Sequence, residues 1–414
     1  VKGVSVMSIW TDRHVTVVVS GGIASYKALT VMRLLMKQGA QVRVVLTANA
    51  AKFVTPLTFQ TLTQQPVVTD EFTLTDPTHV VHVALADWTD VMVMVPATAN
   101  LIAKVAQGLA DDVATTTILA TTAPKYVIPA MNSHMWANPA TQRNLAQLTA
   151  DGIHLMTPAT GLLAEGYAGQ GRLPEPTEIV AWLTNQVIDA ATDLPLHGKK
   201  VLVTAGGTRE MLDPVRYISN RSSGKMGYAM AQVAREMGAT VTLVSAQTAL
   251  PRPQGIQYIQ VTSAAEMLKQ VEQAFAQTDI LVMAAAVSDY RPAQVVTQKI
   301  KKQAAEPGLT LHLTETTDIL KKLATQKQNQ YVIGFAAETQ NLLANAEKKL
   351  AAKKLDLLVA NDVSKPGVGF NGDTNQVTLL SPYATPVTTA VLPKLAIAKA
   401  VFKTALEHGI ASKN

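Results

Sequence analysis

The chain is 414 residues long, has no Cys, and carries 36 Lys and Arg against 30 Asp and Glu, a net charge of +6. That length predicts two or three domains, each with its own core, and 48% apolar against 16% charged residues excludes a disordered chain. The charge is too evenly spread to indicate nucleic acid, no uncharged stretch resembles a spanning helix, and without Cys there is no disulfide, thiolate metal site or Cys nucleophile. Residues 1–10 lack a secretory pattern, so a soluble, cytoplasmic protein is expected.

Residues 14–20 (HVTVVVS) predict a strand that ends at Gly21-Gly22 and opens into a helix over 23–38, where Ala28, Met32 and Leu35 recur at helical spacing. Residues 41–46, 90–95 and 125–128 predict further strands with helical stretches between them. That alternation means a parallel sheet covered on both faces. The pattern fades through 182–196 and restarts at Lys199 with KKVLVTAGGTRE, which places a first domain at 8–186, a linker at 187–197 and a second domain at 198–414. The restart echoes the beginning: a strand, a Gly pair, a helix ending near Gly238, then a strand at 240–245. Apolar runs at 280–285, 331–335 and 355–360 extend the second sheet. The fold class is therefore α/β, with two Rossmann-like parallel-sheet domains.

Both Gly pairs follow a first strand, where backbone N–H groups and a helix N-terminus meet a phosphate; the glycines serve tight turns equally well. Neither pair forms the dinucleotide fingerprint, and the second strands end in Thr47 and Ser245 instead of the acid that grips a ribose, so NAD and NADP are disfavoured. Four clusters in the first half are more specific: SGGIASYK at 20–27, HVALADW at 82–88, PATAN at 96–100 and PAMNSHMW at 129–136. With them the chain resembles the flavin-binding, homo-oligomeric Cys decarboxylase family, a flavodoxin-like fold, over roughly residues 14–182. Within it, the likeness is to the decarboxylase half of the bacterial bifunctional coenzyme A biosynthesis family.

The resemblance implies a catalytic His at His82, in H-x-x-L-A-x-W, and a substrate-binding Asn at Asn132, in P-x-M-N-x-x-M-W, with Met131 beside it. It implies FMN contacts from Gly22, Ile23 and Ala24 at the phosphate turn, from Thr47, and from Thr98 and Asn100. On residue type alone His82, in an alternating run, reads as a structural histidine, and Asn132 as a turn residue. In the implied chemistry a flavin oxidises the thiol side of a C-terminal cysteine to a thioaldehyde, CO₂ leaves to give an enethiolate, and the hydride returns. One position departs from the family. Its flap L-A-C-G-x-x-G-x-G-R-M carries a Cys implicated in protonation, and the matching 163–173 reads LAEGYAGQGRL, with Glu165 in that place. A Glu is a general acid when burial raises its pKa; a solvated flap residue, with water as donor, is the other reading.

The second half carries DPVRYISNRSSGKMG at 213–227, AAAVSDYR at 284–291, KIKK at 299–302, GFAAET at 334–339 and ANDVS at 360–364. On charge alone KIKK reads as a solvated face. In this order the motifs resemble the ligase half of the same bifunctional family, across residues 198–381. The resemblance implies that CTP activates a pantothenate-derived carboxylate as an acyl-cytidylate and that the cysteine amine displaces CMP. Asn220 and Arg216 would act on the acyl-cytidylate; Asp289, Lys299, Phe335, Lys349 and Lys353 would bind CTP, with Thr316, Thr317, Asp318 and Ile319 in the nucleotide loop. Mg²⁺ would bridge the phosphates, and the assembly would combine decarboxylase trimers with ligase dimers. Two other classes share part of the pattern. A flavin-binding regulatory protein has no reason to keep the loop around Asn220; a flavin-modifying prenyltransferase or peptidyl-cysteine oxidative decarboxylase has no fused ligase half.

Overall fold

Alternation decides the first sheet: in β1 (His14–Val19) the side chains of Val15, Val17 and Val19 enter one core cluster and Val18 the opposite one. The computed structural model describes residues 8–72, 80–162, 166–301, 308–338, 342–362 and 372–410. Two compact units emerge, Met7–Val187 and Ile188–Asn414. In the first, α1 (Ser25–Lys37) follows β1 and leads to β2 (Gln41–Leu46), α2 (Ala50–Phe53), α3 (Pro56–Thr63) and β3 (Val67–Val68). Next come α4 (Val81–Trp88), β4 (Val91–Ala97), α5 (Ala99–Ala106), α6 (Val113–Ala120) and β5 (Lys125–Pro129). The unit closes with α7 (Ser133–Ala137), α8 (Pro139–Ala150), β6 (His154–Leu155), the hairpin β7 (Ala159–Leu162) and β8 (Ala168–Arg172), and α9 (Pro176–Ala190).

The sheet order is β3-β2-β1-β4-β5-β6, and every pairing in it is parallel. Ala28, Met32 and Leu35 of α1 join Leu183 and Val187 of α9 on one face; Leu101, Ile118 and Leu148 of α5, α6 and α8 cover the other. The order reverses between β1 and β4, which makes the carboxyl ends of those strands the crevice of the sheet. The run around His82 is helical: VHVALADW forms α4 and buries Leu85 and Ala86, so its alternation is accidental.

The second unit begins with β9 (Lys200–Ala205), the hairpin β10 (Arg209–Met211) and β11 (Tyr217–Ser219), α10 (Lys225–Glu236), β12 (Thr240–Ala246) and β13 (Gln257–Val261). It continues with α11 (Ala264–Phe275), β14 (Ile280–Met283), an arm of β15 (Tyr290–Pro292) paired with β16 (Leu313–Glu315), α12 (Ile319–Ala324) and β17 (Tyr331–Glu338). It ends with α13 (Leu342–Ala352), β18 (Leu357–Asp362), β19 (Thr374–Asn375), β20 (Val377–Ser381), β21 (Ala384–Thr388), β22 (Leu392–Pro393) and α14 (Lys394–Ala405). The large sheet runs β13-β12-β9-β14-β17-β18-β20-β21. Its six parallel strands repeat the order of the first sheet, and β20 and β21 extend it with antiparallel pairings that the sequence pattern does not announce. Helix α10 lies hard against β9 because Gly227 has no side chain: a Cβ there would come within 2.6 Å of Ala205 Cβ and 2.8 Å of the Thr204 carbonyl oxygen.

Candidate active sites

A cavity of about 880 Å³ opens at the β1/β4 crevice of the first unit. Gly22, Ile23, Ala24, Thr47, Thr98, Asn100, Met131 and Asn132 all line it. Ser20 ties its walls together: the hydroxyl donates to the Pro96 carbonyl at 2.7 Å and accepts from the Thr98 N–H at 2.9 Å. Gly21 is obligatory, since a Cβ there would overlap Asn49. A bare backbone turn thus leads into a 13-residue helix at the cavity wall, a geometry that suits a phosphate. The apolar walls, with Met131, Met135, Leu162 and Leu173, suit a flat ring system. The residues present fit a flavin mononucleotide.

Asn132 caps α7, its Oδ1 accepting the His134 N–H at 2.8 Å, while its Nδ2 donates to the Tyr167 hydroxyl. Tyr167 comes from the turn of the β7–β8 hairpin, the flap of the sequence motif. At its base that hairpin is clipped to the Asn132 loop, the Met131 N–H donating to the Gly171 carbonyl at 3.0 Å. Glu165 lies outside the described residues. Two cation sites flank the cavity. Glu175 accepts from Lys27 at 3.0 Å and from Arg172 at 2.7 Å, and Lys27 foremost holds its carboxyl below the usual range. Lys104 lies 2.6 Å from Asp111 and 3.2 Å from Asp112. Burial raises the Asp112 pKa, but the Thr115 N–H and hydroxyl and Lys104 outweigh it and leave it lowered.

His82 is not among the residues that line this cavity. Its Nδ1 lies 2.6 Å from Glu71 Oε1, an ion-pair distance without hydrogen-bond directionality. Sequence reasoning missed Glu71 and Tyr167. Neither occupies a motif position: Glu71 precedes the His82 motif, and Tyr167 fills an unspecified place in the flap.

In the second unit the Gly pair does not form an open phosphate turn; of the two readings left open for it, the tight turn holds. The Ala286 N–H donates to the Gly206 carbonyl at 2.8 Å and the Ser288 N–H to the Thr208 hydroxyl at 2.9 Å, so the crevice between β9 and β14 is bridged. The chain then makes the β10–β11 hairpin before any helix. The glycine that opens α10 is Gly224, in the left-handed region with φ +75. Asn220 precedes it, with Nδ2 donating to the Val287 carbonyl at 3.0 Å and its own carbonyl against Gly207, where a Cβ would come within 2.6 Å.

The remaining expected residues gather on two linked loops. Thr316 donates its N–H to the Asp289 carbonyl at 2.8 Å and its hydroxyl to the Ser288 carbonyl at 2.5 Å, which binds the TTDI loop to the VSDY loop. Asp318 caps α12 and lies 3.0 Å from Lys353. Burial raises its pKa, yet the Lys321 N–H and Lys353 together leave it lowered. Thr317 is exposed, while the Ile319 side chain is buried in the core, which leaves its backbone alone to serve the loop. Phe335 on β17 is partly buried against the core, and Lys349 and Lys353 lie on and just past α13. Lys299 and Lys301 are exposed; Lys302 lies outside the described residues. Arg216 donates to the Ile300 carbonyl at 3.0 Å. Among the described residues no group of three or more His, Cys, Asp or Glu forms a metal cage, and no helix is long and apolar enough to cross a membrane.

Two doubly wound α/β units, one with a cavity whose lining fits a flavin and one with a basic segment tied to the turn that leads into the Asn220 loop, define a two-domain enzyme. Residues 7–188 match the family model described as Flavoprotein, and residues 196–408 match the one described as DNA/pantothenate metabolism flavoprotein C-terminal domain. The Coenzyme A biosynthesis bifunctional protein CoaBC of Bacillus subtilis (strain 168) is 48% identical over 369 residues, 89% of this chain and 90% of that protein. Its namesake in Vibrio vulnificus (strain YJ016) is 44% identical over 380 residues, 91% and 93%. A crystal structure of the C-terminal domain of a protein of that name is 40% identical and covers 52% of this chain and 97% of that one, with a TM-score of 0.45. The chain belongs to the bifunctional coenzyme A biosynthesis family, and it is a flavoprotein with decarboxylase and ligase activities.

Proposed function

We propose that the second unit joins 4'-phosphopantothenate to L-cysteine at the expense of CTP, and that the first decarboxylates the product, 4'-phosphopantothenoylcysteine, to 4'-phosphopantetheine with FMN. The division of labour follows residues 8–186 and 198–414, with 187–197 between them, in a cytoplasmic protein. The observation that carries the decarboxylase half is the single cavity lined by Gly22, Ile23, Ala24, Thr47, Thr98, Asn100, Met131 and Asn132. FMN, when bound, supplies the two-electron chemistry that makes the thiol-bearing carbon an electron sink. The turn at Gly22 and the start of α1 hold its phosphate, and Thr47, Thr98 and Asn100 fix its polar edges. Asn132, its amide anchored at both ends, orients the substrate carboxylate, and the flap excludes water from the departing CO₂. The family resemblance gives the thiol proton to His82, although in the single chain His82 lies outside the lining of this cavity, with Glu71 Oε1 2.6 Å from its Nδ1. Glu165 is the acid that returns a proton.

In the ligase half no protein nucleophile is needed: the substrate carboxylate attacks the α-phosphorus of CTP and displaces pyrophosphate, and the cysteine amine then attacks the acyl carbon, displaces CMP and gives up a proton. Asn220 and Arg216 hold the acyl-cytidylate, while Asp289, Lys299, Lys349 and Lys353 surround CTP, Phe335 packs beneath it, and residues Thr316, Thr317, Asp318 and Ile319 border its loop. Mg²⁺ would be held mainly by the nucleotide and water, since the described residues offer no metal cage, and would supply charge neutralisation for the phosphates. The assembly is a homo-oligomer of decarboxylase trimers and ligase dimers. Exposed Ile23, Tyr26, Phe53 and Leu57 on the first unit and Val215, Tyr217, Tyr290 and Leu313 on the second support it. The test supplies 4'-phosphopantothenate, cysteine, CTP and Mg²⁺ to the purified chain and weighs the products. Formation of 4'-phosphopantetheine, CMP and CO₂ is expected; product formation with ATP but not CTP would refute the nucleotide assignment.

A further inference from the structure

The turn between β10 and β11 carries a fully buried carboxylate, Asp213, that none of the roles above employs. Its Oδ1 accepts the N–H groups of Val215 and Arg216, each at 2.8 Å, and so closes the turn around Pro214. Its Oδ2 reaches out of the turn and accepts the N–H of Ile300 at 3.1 Å, 87 residues further along the chain. Two more bonds join the same segments. The Val296 N–H donates to the Leu212 carbonyl at 3.0 Å, and Arg216 Nη2 donates to the Ile300 carbonyl at 3.0 Å.

Ile300 is therefore gripped at both of its backbone groups, by Asp213 on the N–H and by Arg216 on the carbonyl. Its neighbours in the chain are Lys299 and Lys301. The other end of the turn runs through the three residues of β11 into Asn220. We infer that Asp213 is a positioning residue of the ligase, which fixes Lys299, through Ile300, against the loop that presents Asn220. A carboxylate suits the task because every group facing it is a donor: three backbone N–H groups and the Arg216 guanidinium, whose Nη1 lies 3.7 Å from Oδ2. Burial opposes the charge, but those donors outweigh it and hold the carboxyl below its usual range. An Asn side chain would turn an NH₂ or lose an acceptor toward Ile300, which would release the basic segment without emptying the turn.

The inference rests on the ligase reading of the second unit, and the experiment separates the two. Full-length, flavin-loaded protein is compared with Asp213→Asn, measuring kcat and KM for CTP and for cysteine, together with CO₂ release from supplied 4'-phosphopantothenoylcysteine. The expected result is a fall of ~10- to 100-fold in kcat/KM for CTP with the KM for cysteine and the decarboxylation rate unchanged. In a Lys299→Gln background the same substitution should cost no more than about twofold, because the group it positions is gone. Amide hydrogens of residues 296–301 should exchange faster. If Asp213→Asn does not fold, Asp213→Ser keeps a hydroxyl acceptor for the N–H groups of its own turn and drops the one that crosses to Ile300, and the same fall is expected. Wild-type kcat/KM for CTP in a folded variant, or an undiminished loss in the Lys299→Gln background, would overturn the role. Failure of the wild-type chain to form an amide with CTP would instead defeat the ligase reading.

Discussion

A His82→Asn substitution keeps a polar side chain of similar reach and removes the ring that exchanges a proton. Release of CO₂ should fall by ~10²-fold or more, whereas bound flavin colour and amide formation should persist. Full CO₂ release would make His82 and its Glu71 partner a structural pair. Glu165 answers a different question, since a chain without Cys has no thiol acid. Glu165→Gln should slow the reductive step and leak the enethiol, and Glu165→Cys should recover 4'-phosphopantetheine; mass spectrometry of the product ratio across pH checks both. Asp213 adds a titration. Its folded pKa is depressed, so its contribution to stability is complete above the pKa of the unfolded carboxyl and is lost as pH falls through the lower, folded value. The acid limb of ligase melting should therefore be shallower in Asp213→Asn, and an unchanged limb would show that other carboxylates dominate it.

Elements that bury both faces were legible in the sequence, because a central parallel strand needs an unbroken β-branched run such as VTVVV or VLVTA and little else has that composition. Short edge elements were not. β3 and β6 have two residues each, too few for any period, and β20 and β21 are antiparallel strands whose partners the pattern does not name. Period also failed at α4, where alternating apolar residues turn out to face two sides of a helix end. Site residues in fixed motif places were legible; contacts across the chain were not, so Asp213 stands in a motif without any sign of its bond to Ile300, and Tyr167 fills an unspecified flap position without any sign of its bond to Asn132. The flap is the element where this has the most consequence. Gly171 has φ +138, and a Cβ there would overlap the Met131 carbonyl. Gly171→Ala should cost about 1–3 kcal/mol in the first unit's unfolding and lower CO₂ release with it, measured by thermal release of flavin and by turnover. An unperturbed variant would mean that the hairpin is free of the Asn132 loop.

At the scale of the whole molecule, each unit has its own two-faced core, so each should fold without the other. The boundary matters in detail. Leu196 is fully buried in the second core and its N–H donates to the Met237 carbonyl at 2.8 Å, while Leu194 packs on Gly238. A ligase fragment beginning at Asp193 should form the amide as the full chain does, whereas one beginning at Gly198 should be less stable by about 2–5 kcal/mol, because the Leu196 site is emptied. Urea midpoints of the two fragments provide the comparison, and equal midpoints would show that the second core closes without Leu196.

The outermost strands of the two sheets differ in a way that bears on how copies of the chain can meet. The first sheet ends in two-residue strands on both sides, and the last strand of the second carries Pro386, which has no N–H to offer a neighbour. At those margins there is little ladder left for another chain to extend. Ladder extension through these three margins is thereby disfavoured, which leaves the five-residue β13 at the fourth margin as the edge where a further strand would find backbone partners.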